Sequence, residues 1–364
     1  MNDPATTPAD AGSSPAQVTT NPRRSEVPVA APRNRRQGDR RDGSDRRQSA
    51  PHDASDVTTQ QVVSGELPID TAKTGGAKRG PTSAAKRLGL RAEQAKWTFA
   101  LPDGARRLVA SRDFEGRTND SLVRWLASDP DLSRRLLRWC NTPLYNLSTP
   151  FQTLEEAAGV LEGRDLARLA VLAWVRTLFQ PDVRLDIYSR DFLWSHSIAV
   201  GSVASMITRT CGVGDASDAM VAGTLHDIGL CVAERLDPES FLEVLQSIDP
   251  LSPTHEVEQD HYGWDHAELG AAVMGHWGMP EPVLAAARWH HDEDRGMQDP
   301  DADTIASVMV ADYFVSRFGI GSTGSPTLSP PPPSVLSRLR IDAGLLPLLW
   351  KQVPAAVEAV KRLR

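Results

Sequence analysis

The sequence predicts an all-α fold: a single multi-helix domain behind a long disordered N-terminal tail. Three observations predict it. Apolar residues recur at helical spacing almost throughout from Trp97 onward. Neither strand-like alternation nor an internal repeat interrupts that pattern. All 21 aromatic residues lie at or after Trp97. A chain of 364 residues has room for two average domains. Its first 96 residues, however, are free of aromatics and rich in Ala, Ser, Thr, Pro and Gly. Such a segment cannot bury enough apolar surface to offset its ordering entropy, so one domain is expected.

Residues 1–96 read as a disordered tail. Within it, Arg33–Arg47 holds seven Arg and three Asp, with Asp-Arg-Arg occurring twice. That run is either an arm that docks a polyanion or partner, or a solvated, self-neutralising tail. No aromatics are interleaved with its charges, so the base stacking used by single-strand binders is missing.

Residues 97–320 read as the helical domain. Asp120 and Ser121 are placed to cap a helix presenting Leu122, Val123 and Leu126, which stops at Asp129-Pro130 because a residue before proline avoids helical geometry. The next helix carries Leu132, Leu136, Leu137, Trp139 and Cys140 and ends near Asn141-Thr142-Pro143. Leu154–Phe179 is periodic, broken at Gly163 and ended by Gln180-Pro181. Residues 321–334 form a stiff Pro-rich linker. Residues 335–364 form a last helical pair, whose Leu346, Leu349 and Val353 share a face expected to pack on the core.

Composition narrows the function classes. The apolar stretch Ala170–Val175 is far short of the ~20 residues a membrane-spanning helix needs, so no membrane insertion is expected. The polar start is no secretory signal, and no apolar segment follows Arg23-Arg24. Cys140, Cys211 and Cys231 are odd in number and widely spaced, as reduced thiols of a cytoplasmic protein would be. Residues 91–364 carry 26 basic and 37 acidic side chains, an acidic body ill suited to coating nucleic acid.

The histidines are the informative feature. Eight of the nine fall between His196 and His291. His196 shares a helical face with Val200, Val203 and Ile207. His226-Asp227 follows Ala219 and Gly223 on a short helix expected to end at Gly229. His266 lies in register with Leu269, Val273 and Trp277, and His290 with Val283 and Ala287, with His291 beside it. Asp312 shares a stripe with Ile305, Val308 and Val315. His255, His261 and His276 fall off these stripes and read as surface residues. A buried carboxylate normally finds a cation, a donor or a proton. Neutral imidazoles with carboxylates suit Mn²⁺, Fe or Zn²⁺ rather than Ca²⁺. A metal held in this way could activate water against a phosphoester; a purely structural polar cluster is the other reading.

At this point the chain resembles a family. Phe192-Leu193-Trp194-Ser195-His196-Ser197 and Ala222-Gly223-Thr224-Leu225-His226-Asp227-Ile228-Gly229 are similar to motifs of the HD superfamily of metal-dependent phosphohydrolases. Asp265–Ala271, Trp277-Gly278-Met279-Pro280 and His290-His291 resemble later motifs of one branch, the HDOD (HD-related output) domains of bacterial signalling proteins. Asp129–Leu132, Leu136–Arg138 and Asn141–Tyr145 look like that branch's opening helices. The resemblance runs from about residue 100 to 316 and implies a metal set of His196, His226, Asp227 and Asp312. His266, His290 and His291 match the extra histidines that complete a multinuclear centre in the related HD-GYP phosphodiesterases of cyclic di-GMP, which implies a dinuclear or larger site here. Two features depart from those enzymes. Leu230 stands where they usually carry lysine, and Asp292–Met297 replaces their Gly-Tyr-Pro signature.

Two functions follow from the resemblance. One is a non-catalytic or weakly catalytic output module that acts through a signalling protein partner and retains a metal site. The alternative is a metal-dependent phosphohydrolase for a nucleotide or cyclic dinucleotide, with Asp227 as the catalytic residue that orients or deprotonates a bridging water. Nucleic-acid binding through residues 33–47 is a weaker third idea.

Overall fold

Helices carry nearly all of the structure, a computed structural model that describes residues 81–101, 123–124, 126–142, 147–185, 187–249, 251–321 and 329–363. All of them fall in one unit, residues 74–364. The Arg33–Arg47 run and residues 322–328 of the Pro-rich linker lie outside the described residues.

The first helix corrects an expected boundary. Helix α1 (Pro81–Thr98) starts well before Trp97, within the segment read as disordered tail to residue 96. Its Ala92 and Ala95 are buried, and the helix packs on the helix that begins at His266. Arg87 Nη2 donates to the Tyr262 carbonyl at 2.7 Å. A lack of aromatics undervalued this segment, because alanines let helices approach closely and bury well.

Helix α2 (Pro130–Cys140) begins where the sequence indicates, with the Asp129 carboxylate accepting from Asp131 and Leu132 N–H groups ahead of a first-turn proline. Helices α3 (Leu154–Val160) and α4 (Gly163–Val175) divide at Gly163 as expected. A 3-10 turn, Arg176–Phe179, follows. The strands among the described residues form one two-residue antiparallel pair, β1 (Arg184–Leu185) with β2 (Tyr188–Ser189). The pair turns the chain into the longest helix.

That helix, α5 (Arg190–Cys211), is the centre of the packing. The Ser189 hydroxyl caps its start, and Gly212 at φ 67° ends it. Helix α5 lies against α6 (Ala216–Leu225), α13 (Ala302–Arg317) and the C-terminal helix α15 (Leu345–Val360). Val200, Val203 and Ile207 are fully buried, each burial stabilising the fold by about 1.5–3 kcal/mol. Between α6 and α13 come α7 (Ile228–Leu236), α8 (Pro238–Ser247), α9 (Thr254–Tyr262), α10 (His266–Trp277), α11 (Glu281–Trp289) and the single turn α12 (Glu293–Gly296). Helix α14 (Pro333–Arg338) packs on α13.

The C-terminal helix docks on the core, with Leu349, Val353 and Val360 fully buried. Ser202 Oγ donates to the Ala356 carbonyl at 2.6 Å, and Trp194 Nε1 to that of Leu363 at 3.0 Å. No helix among the described residues is long and apolar enough to cross a membrane. The three cysteines are free.

Candidate metal centre

Six helices or helix ends deliver the polar groups. His196 sits mid-helix on α5, and His226 closes α6. Asp227 opens α7. Here the structure corrects an expectation: the helix carrying His226 does not run on to Gly229 but ends at Leu225, and Gly229 lies inside the next helix. The reason is close packing. A Cβ at Gly229 would lie 1.9 Å from the His266 carbonyl oxygen, so only glycine lets α7 meet the start of α10. His266 is the first residue of α10, held by a capping box in which Asp265 and Glu268 exchange side-chain and backbone bonds. His290 closes α11, with His291 following, and Asp312 lies on α13.

All seven sequence-derived residues converge around Asp227. One carboxylate oxygen, Oδ2, lies 3.2 Å from His226 Nε2 and 4.0 Å from His196 Nε2. The other, Oδ1, lies 3.2 Å from His266 Nε2 and 3.4 Å from His290 Nε2. Asp312 Oδ1 stands 3.0 Å from His196 Nε2 and also accepts from Ser316 Oγ. His291 Nε2 reaches to 3.0 Å from His266 Nε2. His196, His226, Asp227, His266 and His290 are buried, Asp312 is half-buried, and His291 is exposed. The ligand atoms form two groups that could each hold a metal ion: His196, His226 and Asp227, and Asp227, His266, His290 and His291. Asp227 belongs to both.

The outward ring nitrogens explain the inward ones. Nδ1 of His196 faces the Ile320 carbonyl at 3.3 Å, that of His226 the Gly223 carbonyl at 2.8 Å and that of His290 the Ala287 carbonyl at 2.7 Å. With Nδ1–H donating outward, each neutral ring turns an Nε2 lone pair toward the carboxylates. The Nε2 atoms of His196, His226 and His290 are buried without a hydrogen-bond partner. Lone pairs that face carboxylate oxygens inside a protein call for a cation or a proton between them. This donor set fits a divalent transition metal.

Without a metal, protons fill the same role. Burial raises the Asp227 carboxyl, but His226, then His266 and His290, hold it well below the usual carboxylate range. Burial lowers His226, and Asp227 more than reverses that, leaving it raised. Burial also lowers His266, and Glu258 and Asp227 together hold it well above its ordinary value. Asp312 is lowered, its burial outweighed by His196.

Two residues at the centre escaped the sequence reading. His255, expected at the surface, stacks on His291 with ring centroids 4.2 Å apart. Burial pushes it down to about 4, with His266 and His290 adding to the effect. Glu258 is fully buried and its Oε2 stands 2.5 Å from His266 Nδ1. Both lie on the polar helix α9, Thr-His-Glu-Val-Glu-Gln-Asp-His-Tyr, which has no apolar stripe to mark its inner face. The weak signal was Thr254 and Glu258, four residues apart and both buried. His261 and His276 are exposed, as expected.

A cavity of about 390 Å³ opens over the cluster. Asp227, His266, His290, His291 and Asp312 form its floor side, and Leu230, Met309 and Tyr313 supply apolar wall. Glu256, Glu293 and the segment Ser329–Pro332 line it as well. No Lys or Arg lines it among the described residues. Helix α14 ties that proline segment to α13 through an Arg338 Nε–Asp303 Oδ1 ion pair of 2.6 Å.

Comparison with known proteins agrees with this architecture. The model of the HDOD domain matches residues 99–293. An uncharacterized protein of Treponema pallidum is 25% identical over 224 residues, 61% of this chain and 42% of its own length. Ribonuclease Y of Thermus thermophilus is 33% identical over 116 residues, 32% of this chain and 14% of the enzyme. The chain thus spans less than half the length of either relative. The crystal structure of an HDOD domain protein with unknown function from Geobacter sulfurreducens superposes with a TM-score of 0.62 at 22% identity, covering 77% of this chain and 99% of that one. That likeness shows the fold.

Proposed function

The chain belongs to the HDOD family, and from that premise we propose that it is a regulatory output module, acting through a signalling protein partner and retaining a divalent metal site. One observation carries the reading. The cavity over the cluster has Asp227, His266, His290, His291 and Asp312 on its floor but no cationic side chain among its described lining residues, and Glu256 and Glu293 line it instead. A phosphodiester needs positive charge on the substrate side as well as a metal. Leu230, which occupies the position where HD-GYP enzymes usually carry lysine, adds apolar surface to the wall.

His196, His226, Asp227 and Asp312 would hold the metal on one side, and Asp227, His266, His290 and His291 on the other. When bound, Mn, Fe or Zn would supply Lewis acidity and lower the pKa of a coordinated water. The chain's own contribution is to fix the ring tautomers through the Ile320, Gly223 and Ala287 carbonyls and to keep Asp227 ionised.

The hydrolase reading keeps a foothold in the ribonuclease Y likeness. In that reading Asp227, held far below the usual carboxylate range, would orient the attacking water. The test is direct. Protein purified without chelators should contain transition metal, lose it in His226→Ala and Asp227→Ala, and show no phosphodiester hydrolysis with added Mn²⁺ or Fe²⁺. Turnover that vanishes in both variants would establish the hydrolase instead.

A further inference from the structure

Among the four buried histidines of the centre, three rest on main-chain carbonyls and one on a carboxylate. His196, His226 and His290 present Nδ1 to the Ile320, Gly223 and Ala287 carbonyls. His266 presents Nδ1 to Glu258 Oε2 at 2.5 Å, and its backbone N–H donates to the same oxygen at 2.9 Å. Glu258 thus grips the ring and the main chain of one residue. We infer that Glu258 is a positioning residue that makes the Asp227–His266–His290–His291 half of the centre the tighter metal subsite, so that the two halves fill in order. This rests on the metal reading given above.

The argument is electrostatic. A hydrogen bond to a charged acceptor is about twice as strong as one to a neutral carbonyl. A carboxylate behind a ligating histidine also raises the basicity of the opposite nitrogen and fixes the ring's orientation. Glu258 has no exposed surface. Its second oxygen, Oε1, is buried without a hydrogen-bond partner. Keeping a buried anion with half of its bonding capacity unused is costly. The capping box of Asp265 and Glu268 leaves the His266 N–H to Glu258, but a neutral acceptor would serve that single bond without a buried charge. What Glu258 adds is negative charge behind His266.

The experiment titrates the metal-free full-length chain at pH 8 with Mn²⁺, followed by calorimetry, and with Co²⁺, followed by visible absorption. Wild type should bind in two steps. Glu258→Gln keeps the size and an acceptor but removes the charge, so the tighter step should weaken by roughly 10–100-fold. The weaker step should stay within about twofold, and the first Co²⁺ band should shift. Glu258→Asp should recover part of the lost affinity. An unchanged first step in Glu258→Gln, or parallel weakening of both steps together with a lower melting temperature, would overturn the inference and leave Glu258 a purely structural group. A single step in wild type would overturn ordered filling. No binding by wild type would overturn the metal reading itself.

Discussion

The centre has two halves that share Asp227 and are built by different means. The inner half, His196, His226 and Asp312, is delivered by α5, α6 and α13, long apolar helices packed directly on one another. The outer half, His266, His290 and His291, hangs on a helix start and a helix end, fixed by α9 through Glu258 and His255. Burial sets one histidine apart from the rest: His266 and His290 are buried as well. His196 and His226 have almost no exposed surface, whereas His291 is exposed and lines the cavity. Helix packing positions the inner ligands; at the outer ones polar contacts from α9 add to it. Substitutions can therefore damage one half and leave the other in place.

The largest effect is expected from Gly229→Ala. Its Cβ would fall on the His266 carbonyl, so α7 and α10 must separate, at about 1–3 kcal/mol. Urea denaturation should show that loss, and metal titration should show the outer half weakened more than the inner. Equal weakening would mean that the two halves are not separable.

Acidity sharpens the comparison with a middle-sized effect. His226 is raised from its ordinary 6.5 and His266 well above it. Their protonated rings therefore stabilise the metal-free fold fully below pH 6.5, and this is lost as pH rises through the raised folded-state values. Asp227 is lowered from 3.8, so its contribution is present above pH 3.8 and is lost as pH falls through the depressed value. Thermal melts of metal-free protein should thus peak between these limits and decline toward pH 8. Metal affinity should run the other way, because metal and protons compete for the same nitrogens. Ring NMR should show His226 and His266 both releasing their protons above the ordinary imidazole value of 6.5.

The smallest effect is expected from His255→Ala. Ring pairs of this kind contribute about 0.5–1.5 kcal/mol. The melting temperature should fall slightly and the outer half should weaken a few-fold, with the inner half unchanged in the same titration. Loss at the inner half would show that His255 acts on the whole centre.

Legibility in the sequence follows the same line. His196, His226, His266, His290 and Asp312 were readable because each lies in register with apolar residues, and apolar periodicity reports which face of a helix is buried. Glu258 and His255 were not, since α9 is polar all round and its inner face is chosen by its neighbours. Helix α1 was missed for a related reason: alanines such as Ala92 and Ala95 carry little hydrophobic signal and bury only when a partner helix comes close. The all-α domain, the inward direction of the ligand stripes and the family motifs are written in the order of residues along the chain, because all are properties of local spacing. The sharing of Asp227 between two ligand groups, the backing of one histidine by Glu258, and the acidic and proline lining of the cavity come from the folded arrangement alone. Those are contacts between residues far apart in sequence, set by how the helices cross rather than by the pattern along any one of them.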